Sequence, residues 1–379
     1  VPRSSRYLTG QPKRIRGKTM DRTISQTVGL RKPQRGLGFW NSIAPVLGLF
    51  FLAPLTAEYL IGYSSETFTE MLVGLLLLAP TYGGAAIIIR ESARRTGRGW
   101  PTIILLSLAF GIFMAGLIDH SLFDPSFQIT ELWHDMPNPT YIPALGISYL
   151  DALYFVLGHV IWSISAPIAI IETFVPRSRT VPWLGNLGLA IISLLYILAS
   201  SILCWGIAID DQFFPSALQM AGTAIVVMAL IALAFSVRLE ERPFAAIRLP
   251  KPWVVGTAAF MLLSLPNIIE TGCEMLGIPS IFMIDWPGFI INILTAGLLA
   301  ALIWRWSQSR DWSASHTLSL AGGALLTRAW IAFLLVPFDE AMFYDELVQR
   351  TVFLLGVVML LLLAAWKIRA EKKRYEAWV

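Results

Sequence analysis

Stretches of about 20 mostly apolar residues, the length that crosses roughly 30 Å of hydrocarbon as a helix, follow one another along nearly the whole chain. They cover 39–63, 67–89, 100–123, 147–174, 182–207, 213–237, 252–272, 282–304, 316–337 and 345–366. Outer-membrane barrel strands are about ten residues long and alternate in polarity, so these runs are not strands. The expected fold is an all-α polytopic transmembrane helical bundle of about ten spans. Composition agrees: 56% of residues are hydrophobic and 14% charged, where soluble domains carry roughly 25% charged residues. The first span follows a basic segment, 1–38, expected to be a disordered tail on the anionic leaflet. Residues 39–368 form the membrane domain, and 369–379 a short basic tail.

The formal charge of +4 does not point to nucleic acid, because its distribution has another cause. From the amino terminus onward the tails and loops hold ten, zero, four, zero, two, zero, four, zero, two, zero and five Lys or Arg. Strict alternation of this kind is the positive-inside rule, and a miscounted span would have destroyed it. Both termini are therefore expected in the cytoplasm of a cell with a plasma membrane. Trp40, Trp100, Trp183, Trp205, Trp253, Trp286, Trp304 and Trp366 fall near span ends, as interfacial aromatic belts do. The loop 124–146 is acidic and proline-containing, either a lid over the bundle or an ordinary long connector. Cys204 and Cys273 lie near outer span ends, where a disulfide is permitted, although two buried small apolar residues is the simpler reading.

Charges inside spans are costly and mark candidate sites. Glu58 lies in the outer third of the first span. Glu70 opens the second, and Asp119 and His120 close the third. Asp151 begins the fourth and His159 stands near its middle; Asp151, Phe155, His159, Ser163 and Pro167 form an i+4 row on one broad face. Glu270 and Glu274 close the seventh, Asp285 opens the eighth, Arg328 sits within the ninth, and Arg350 opens the tenth. The inner half offers mainly Glu172, within reach of Arg177. The candidate binding or proton-relay set is Glu58, Asp119, His120, Asp151, His159, Glu270 and Arg328, with Arg328 as counter-ion. Interhelical ion pairs without a transport role are the competing explanation.

Prolines and glycines interrupt several spans: Pro54, the run Pro80-Thr81-Tyr82-Gly83-Gly84, Pro167, and Pro266-Asn267. A five-plus-five inverted repeat would pair the second span with the seventh and the fourth with the ninth, as in transporters with midplane sites. The chain has no ATP-binding glycine-rich loop, and no cofactor is expected. His120, His134, Asp135 and His159 lack the tight spacing of a zinc motif, so no metal is expected either. The partners expected are the lipid bilayer and an unknown small solute or membrane partner, with oligomeric state open. The working function is a transporter-like or solute-binding protein; a non-catalytic accessory subunit is the alternative.

Two resemblances add to this. The segments APTYGGAAIIIRESARRTGRGWPTIILLSLAFGIFMAGLIDHSLFDP and LGHVIWSISAPIAIIETFVPRSRTVPWLG resemble a family of uncharacterised multi-spanning bacterial membrane proteins. That likeness implies a bacterial plasma-membrane protein and carries no activity. Phe155-Val156-Leu157-Gly158-His159 resembles one element of the CAAX-protease and bacteriocin-processing (CPBP) intramembrane family. It would make His159 catalytic, with Asn267 in the later polar role. Where that family has paired glutamates this chain has Met114 and Ala115, with Asp119 and His120 one turn later, so an active protease lacks its base and an inactive relative is equally implied.

Overall fold

The computed structural model describes residues 39–62, 68–124, 139–236, 247–278, 283, 285–334 and 343–376. Among these, nine helices are long and apolar enough to cross a membrane: α1 Ser42–Tyr59, α2 Thr69–Arg95, α3 Trp100–Ile118, α4 Tyr149–Phe174, α5 Asn186–Asp210, α6 Ala217–Ser236, α7 Pro252–Met275, α8 Trp286–Ser307 and α10 Tyr344–Arg374. The expected ninth span forms helix α9, Ala314–Ile331. It falls short in apolarity because His316, Arg328 and several Ser and Thr dilute it. A two-stranded hairpin, β1 Tyr141–Ile142 and β2 Ile147–Ser148, leads into α4. The segment 1–38, most of the 124–146 loop, and His134 and Asp135 lie outside the described residues.

Helix ends follow local chemistry. Ser148 Oγ accepts the backbone N–H of Asp151 and caps α4, and Asp285 accepts that of Trp286 to cap α8. Carboxylates in a first turn also suit the positive end of the helix dipole, which accounts for Asp151 and Asp285 at span starts. Ser313 and His316 cap α9 reciprocally.

Burial divides the helices. In α1 to α4 between 39% and 61% of the span is buried, against 11% to 22% in the other five spans. The first four are thus an inner group. Leu49, Ala53, Ile87, Ile103, Phe110 and Ile168 fill the space between them. A second cluster joins α4 to α9 and α10 through Ala166, Ile170, Leu325, Ala329 and Val357. Helix α4 is shared by both. Lipid tails are as apolar as leucine, so close backbone approach rather than apolar burial holds such helices together. At the α7–α9 crossing a side chain on Gly323 would collide with the Gly256 carbonyl.

Helix α2 runs six residues past its expected end at 89, and the extension is the largest departure from the sequence reading. Arg90 and Glu91 are completely buried, Arg94 and Glu172 nearly so. Arg90 Nη1 meets Glu91 Oε1 at 2.8 Å, and its Nε meets Glu172 Oε1 at 3.2 Å. Its Nη2 donates to the carbonyls of Ser178 and Arg179. Arg94 forks onto Glu172 with Nη2–Oε2 at 2.8 Å, so Glu172 pairs with Arg90 and Arg94, not with Arg177. The backbone N–H groups of Trp183 and Leu184 donate to Glu91. Trp183 is itself buried, and its ring lies 3.5 Å from the Arg90 guanidinium carbon. Both cysteines are free thiols.

Removing one partner of a buried, hydrogen-bonded pair costs about 3–5 kcal/mol, because the other charge is left stranded. Arg90→Met is expected to destabilise the detergent-solubilised protein by about that amount in thermal unfolding. Arg90→Lys recovers less than half, since an ammonium cannot span two carboxylates and two carbonyls at once.

Candidate functional site

Each of the four inner helices contains a π-helical turn, in which the backbone bonds back five residues instead of four. The turns are Leu55–Tyr59 in α1, Ala79–Gly83 in α2, Met114–Ile118 at the end of α3, and His159–Ser165 in α4. Such turns are rare and gather at functional sites. The first contains Glu58 and the second Tyr82. The third delivers Asp119 as its next residue, whose N–H reaches back to Met114 O at 3.0 Å. The fourth opens on His159.

Proline accompanies three of the four. Pro54 precedes the first turn, Pro80 lies within the second, and Pro167 follows the fourth by two residues. A helical proline lacks the N–H and crowds the carbonyl four residues back. For Pro54 that carbonyl belongs to Phe50, and Gly83 of the second turn packs directly on it, leaving no space for a side chain. The fourth turn shows the hydrogen-bond consequence. The N–H of Ala166 goes to Ile161 O, and Pro167 has none to give, so Trp162 O loses its helical donor. Thr56 supplies one instead, Oγ1 to Trp162 O at 2.7 Å. In the first turn Ala57 O accepts from Arg328 Nη2 at 2.8 Å. The widened turns are thereby stitched to one another and to α9.

His159 lies at the centre of the group. Its ring stacks on Tyr82, with centroids 5.8 Å apart, and meets Phe110 edge-on at 5.6 Å. Nδ1 is 3.1 Å from Ser163 Oγ. Nε2 is 4.0 Å from Asp119 Oδ2, beyond a direct hydrogen bond, so the pair is a true ion pair only with the imidazole protonated and the carboxyl ionised. The other Asp119 oxygen, Oδ1, accepts from the Ser121 backbone at 3.0 Å and hydroxyl at 2.6 Å. Tyr82 hydrogen-bonds Glu58 and interacts electrostatically with Asp119 and Arg328. Arg328 lies over the Trp162 ring at 4.9 Å and also acts on His159. Two carboxyls, a phenol, an imidazole and a guanidinium share one largely buried neighbourhood.

Of the residues singled out in the sequence, Glu58, Asp119, His159 and Arg328 converge here. The others stand elsewhere. His120 turns toward Cys204 and Phe214. Asp151 lies in the capped first turn of α4, and Glu270 sits beside Glu274 on α7. Asn267 lies on α7. Arg350 pairs with Glu346 at 2.6 Å within α10. Tyr82 is the participant that charge-based reading passed over; its signal was the Pro80–Gly84 interruption around it. No group of three or more His, Cys, Asp or Glu able to hold a metal occurs among the described residues.

Residues 47–233, just under half of the chain, match the model of an uncharacterized membrane protein family. The matched region contains all four π turns and every residue of the site except Arg328. Neither the curated proteins nor the solved structures yield a match.

A buried carbonyl left without a donor costs about 1–3 kcal/mol. Thr56→Val is expected to lower stability by about that amount in thermal unfolding, and Thr56→Ser to restore most of it by returning the hydroxyl to Trp162 O.

Proposed function

We propose that this chain is a proton-linked, transporter-like protein of a bacterial plasma membrane, with ten spans, both termini cytoplasmic and the site in the outward half of the bundle. The observation that carries the reading is the convergence of four π turns on one set of ionisable side chains. A stability device has no need to widen four helices, each at a cost in backbone hydrogen bonding, and to bring Glu58, Tyr82, Asp119 and His159 to one place. Compare the Arg90 network at the other end of α2. There the helix stays regular and each charged group has close opposite-charge or backbone partners. At the Asp119–His159 pair the separation of 4.0 Å leaves the charge state to be decided by a proton.

In this reading Asp119 and His159 exchange and hold the proton. Ser121 and Ser163 each fix one face of that pair, so that Oδ2 and Nε2 point at one another. Arg328 balances the carboxylates and stands where an anionic group of a solute would meet it. The aromatic walls, Tyr82, Phe110 and Trp162, exclude water and sharpen every electrostatic interaction inside. The intramembrane-protease reading has less support, because Met114 and Ala115, where that family has its paired glutamates, are apolar residues buried in the third π turn.

Proteoliposomes loaded with a pH-sensitive dye, given an inward proton gradient and a panel of small acids, amines, sugars and peptides, test the reading. One solute class is expected to enter together with protons. Asp119→Asn and His159→Ala are each expected to cut that flux about tenfold or more while leaving the folded protein intact by thermal unfolding. Undiminished, proton-coupled uptake in both variants would sink the assignment.

A further inference from the structure

The turn beyond α3 holds a second arrangement that the proposed site does not use. Among the described non-glycine residues only His120 and Gln212 have positive φ, at 60° and 52°. Such conformations cost energy and persist only where the surroundings enforce them. The two residues lie on facing connections: His120 follows α3, and Gln212 lies between α5 and α6.

The connection carrying Gln212 closes on the His120 ring. Phe214 meets it edge-on with centroids 5.1 Å apart, and Phe213 does so at 6.5 Å. Together they leave His120 only 2% exposed. Its Nε2 is 3.7 Å from Cys204 Sγ on α5, and its Nδ1 has no hydrogen-bond partner among the described residues. A buried imidazole so placed is tolerated only while neutral. The charged and titratable groups around it are Asp119 and Asp124 on its own turn, Cys204 and Asp210 on α5, and Asp211 on the facing connection. Phe214, in contrast, is 58% exposed on its outer side, so little holds it down.

We propose that His120 is the latch of a gate over the Asp119–His159 site, and that protonation of its imidazole releases the Phe213–Phe214 clamp. The mechanism is electrostatic. A protonated ring has to leave its apolar seat, and Asp124 and Asp211, whose charges act on it, offer it a destination. Release would also relieve the positive φ at His120 and Gln212. Because Asp119 is the adjacent residue and is tied to Ser121 across the same turn, movement of His120 is transmitted to the proposed proton site. The gate rests on reading that site as proton-linked.

Burial holds the His120 imidazole below its ordinary range, with Asp124 and Asp211 pulling the other way. Burial also raises Asp211, with Asp124 and Asp210 adding to it. A histidine depressed in the closed form stabilises that form fully above the ordinary imidazole range. That stabilisation is lost as the pH falls below about 6.5. The gate is therefore shut at neutral pH and opens on acidification.

Cys204 reports on it directly. The chain has two cysteines, so Cys273→Ser leaves Cys204 as the sole thiol. Its labelling by a cationic thiosulfonate, divided by the rate with glutathione at the same pH, removes the chemistry of the reagent and leaves accessibility. This ratio is expected to rise about tenfold between pH ~7.5 and pH ~5. His120→Asn is neutral and accepts the left-handed conformation, so its ratio is expected to be flat with pH whatever its level. His120→Lys is expected to be high at both ends. A flat ratio in the His120 chain, or an equal rise in His120→Asn, would overturn the proposal. Asp119→Asn keeps the response if the latch is right, so undiminished uptake with the response retained counts against the transport reading alone.

Discussion

In hydrocarbon no water is available to take an unpaired backbone carbonyl, and the inner half of this fold is organised by that constraint. A π turn displaces the helical ladder by one residue, and a proline nearby removes a donor altogether. In a soluble helix solvent would settle the difference. Here Thr56 and Arg328 do so, and both reach across from a different helix. The widened turns and the interhelical hydrogen bonds are thus two sides of one arrangement. Bringing polar side chains into the bundle and crosslinking its helices are achieved by the same local irregularity.

That arrangement also gives α9 a physical role. It is the least apolar of the ten described helices, and it carries the guanidinium that satisfies α1. A helix with Arg328 and His316 is poorly suited to face lipid, and α9 avoids doing so. Gly323 brings it against α7, while α4 and α10 cover other faces. The apolar deficit and the central position belong together: shelter from lipid permits polarity, and polarity is what the inner helices require. Thr327 and Trp330 continue the pattern through Ser264 of α7.

The positions of the helices were legible in the sequence because a span is a length-and-composition object, and each of the ten apolar runs coincides with one described helix. What the sequence reading missed falls into two kinds. Arg90 and Glu91 fall in a loop on the sequence reading, which ends the second span at residue 89. Only the structure reveals that, besides each other, they are met by Glu172, Ser178, Arg179, Trp183 and Leu184, eighty or more residues away. The prolines Pro54, Pro80 and Pro167 were recognised as interruptions, but their outcome is a widened helix and not a broken one. Met114–Ile118 has no proline at all, so nothing local marked it. The reverse also occurs: Pro266 leaves α7 as a continuous α-helix, and the second half of the chain has no π turn among its described residues. The matching breaks expected of an inverted repeat are therefore not found there, and the π turns of the described residues all lie in the first half. The residues that became the site were half legible for the same reason. Glu58, Asp119, His159 and Arg328 could be ranked by the cost of a charge in lipid, whereas Tyr82 carries no charge and entered only through its place in the second turn.

Asp119 links these elements. Its N–H closes the third π turn, one carboxylate oxygen is held by Ser121, and the other is directed at His159. The residue that follows leaves the helical conformation for the left-handed one and buries its ring beneath Phe213 and Phe214. A change at His120 cannot occur without turning the peptide that also positions Asp119, because one covalent bond separates the two residues. Conversely, a proton gained at Asp119 weakens its grip on Ser121, since a neutral carboxyl accepts hydrogen bonds less strongly than a carboxylate. Ser121 is part of the turn that holds His120 in place. On the proposed reading the proton site and the latch are therefore reciprocally linked, as any two coupled equilibria must be. Acidity on the side that reaches His120 favours both opening of the turn and protonation within it.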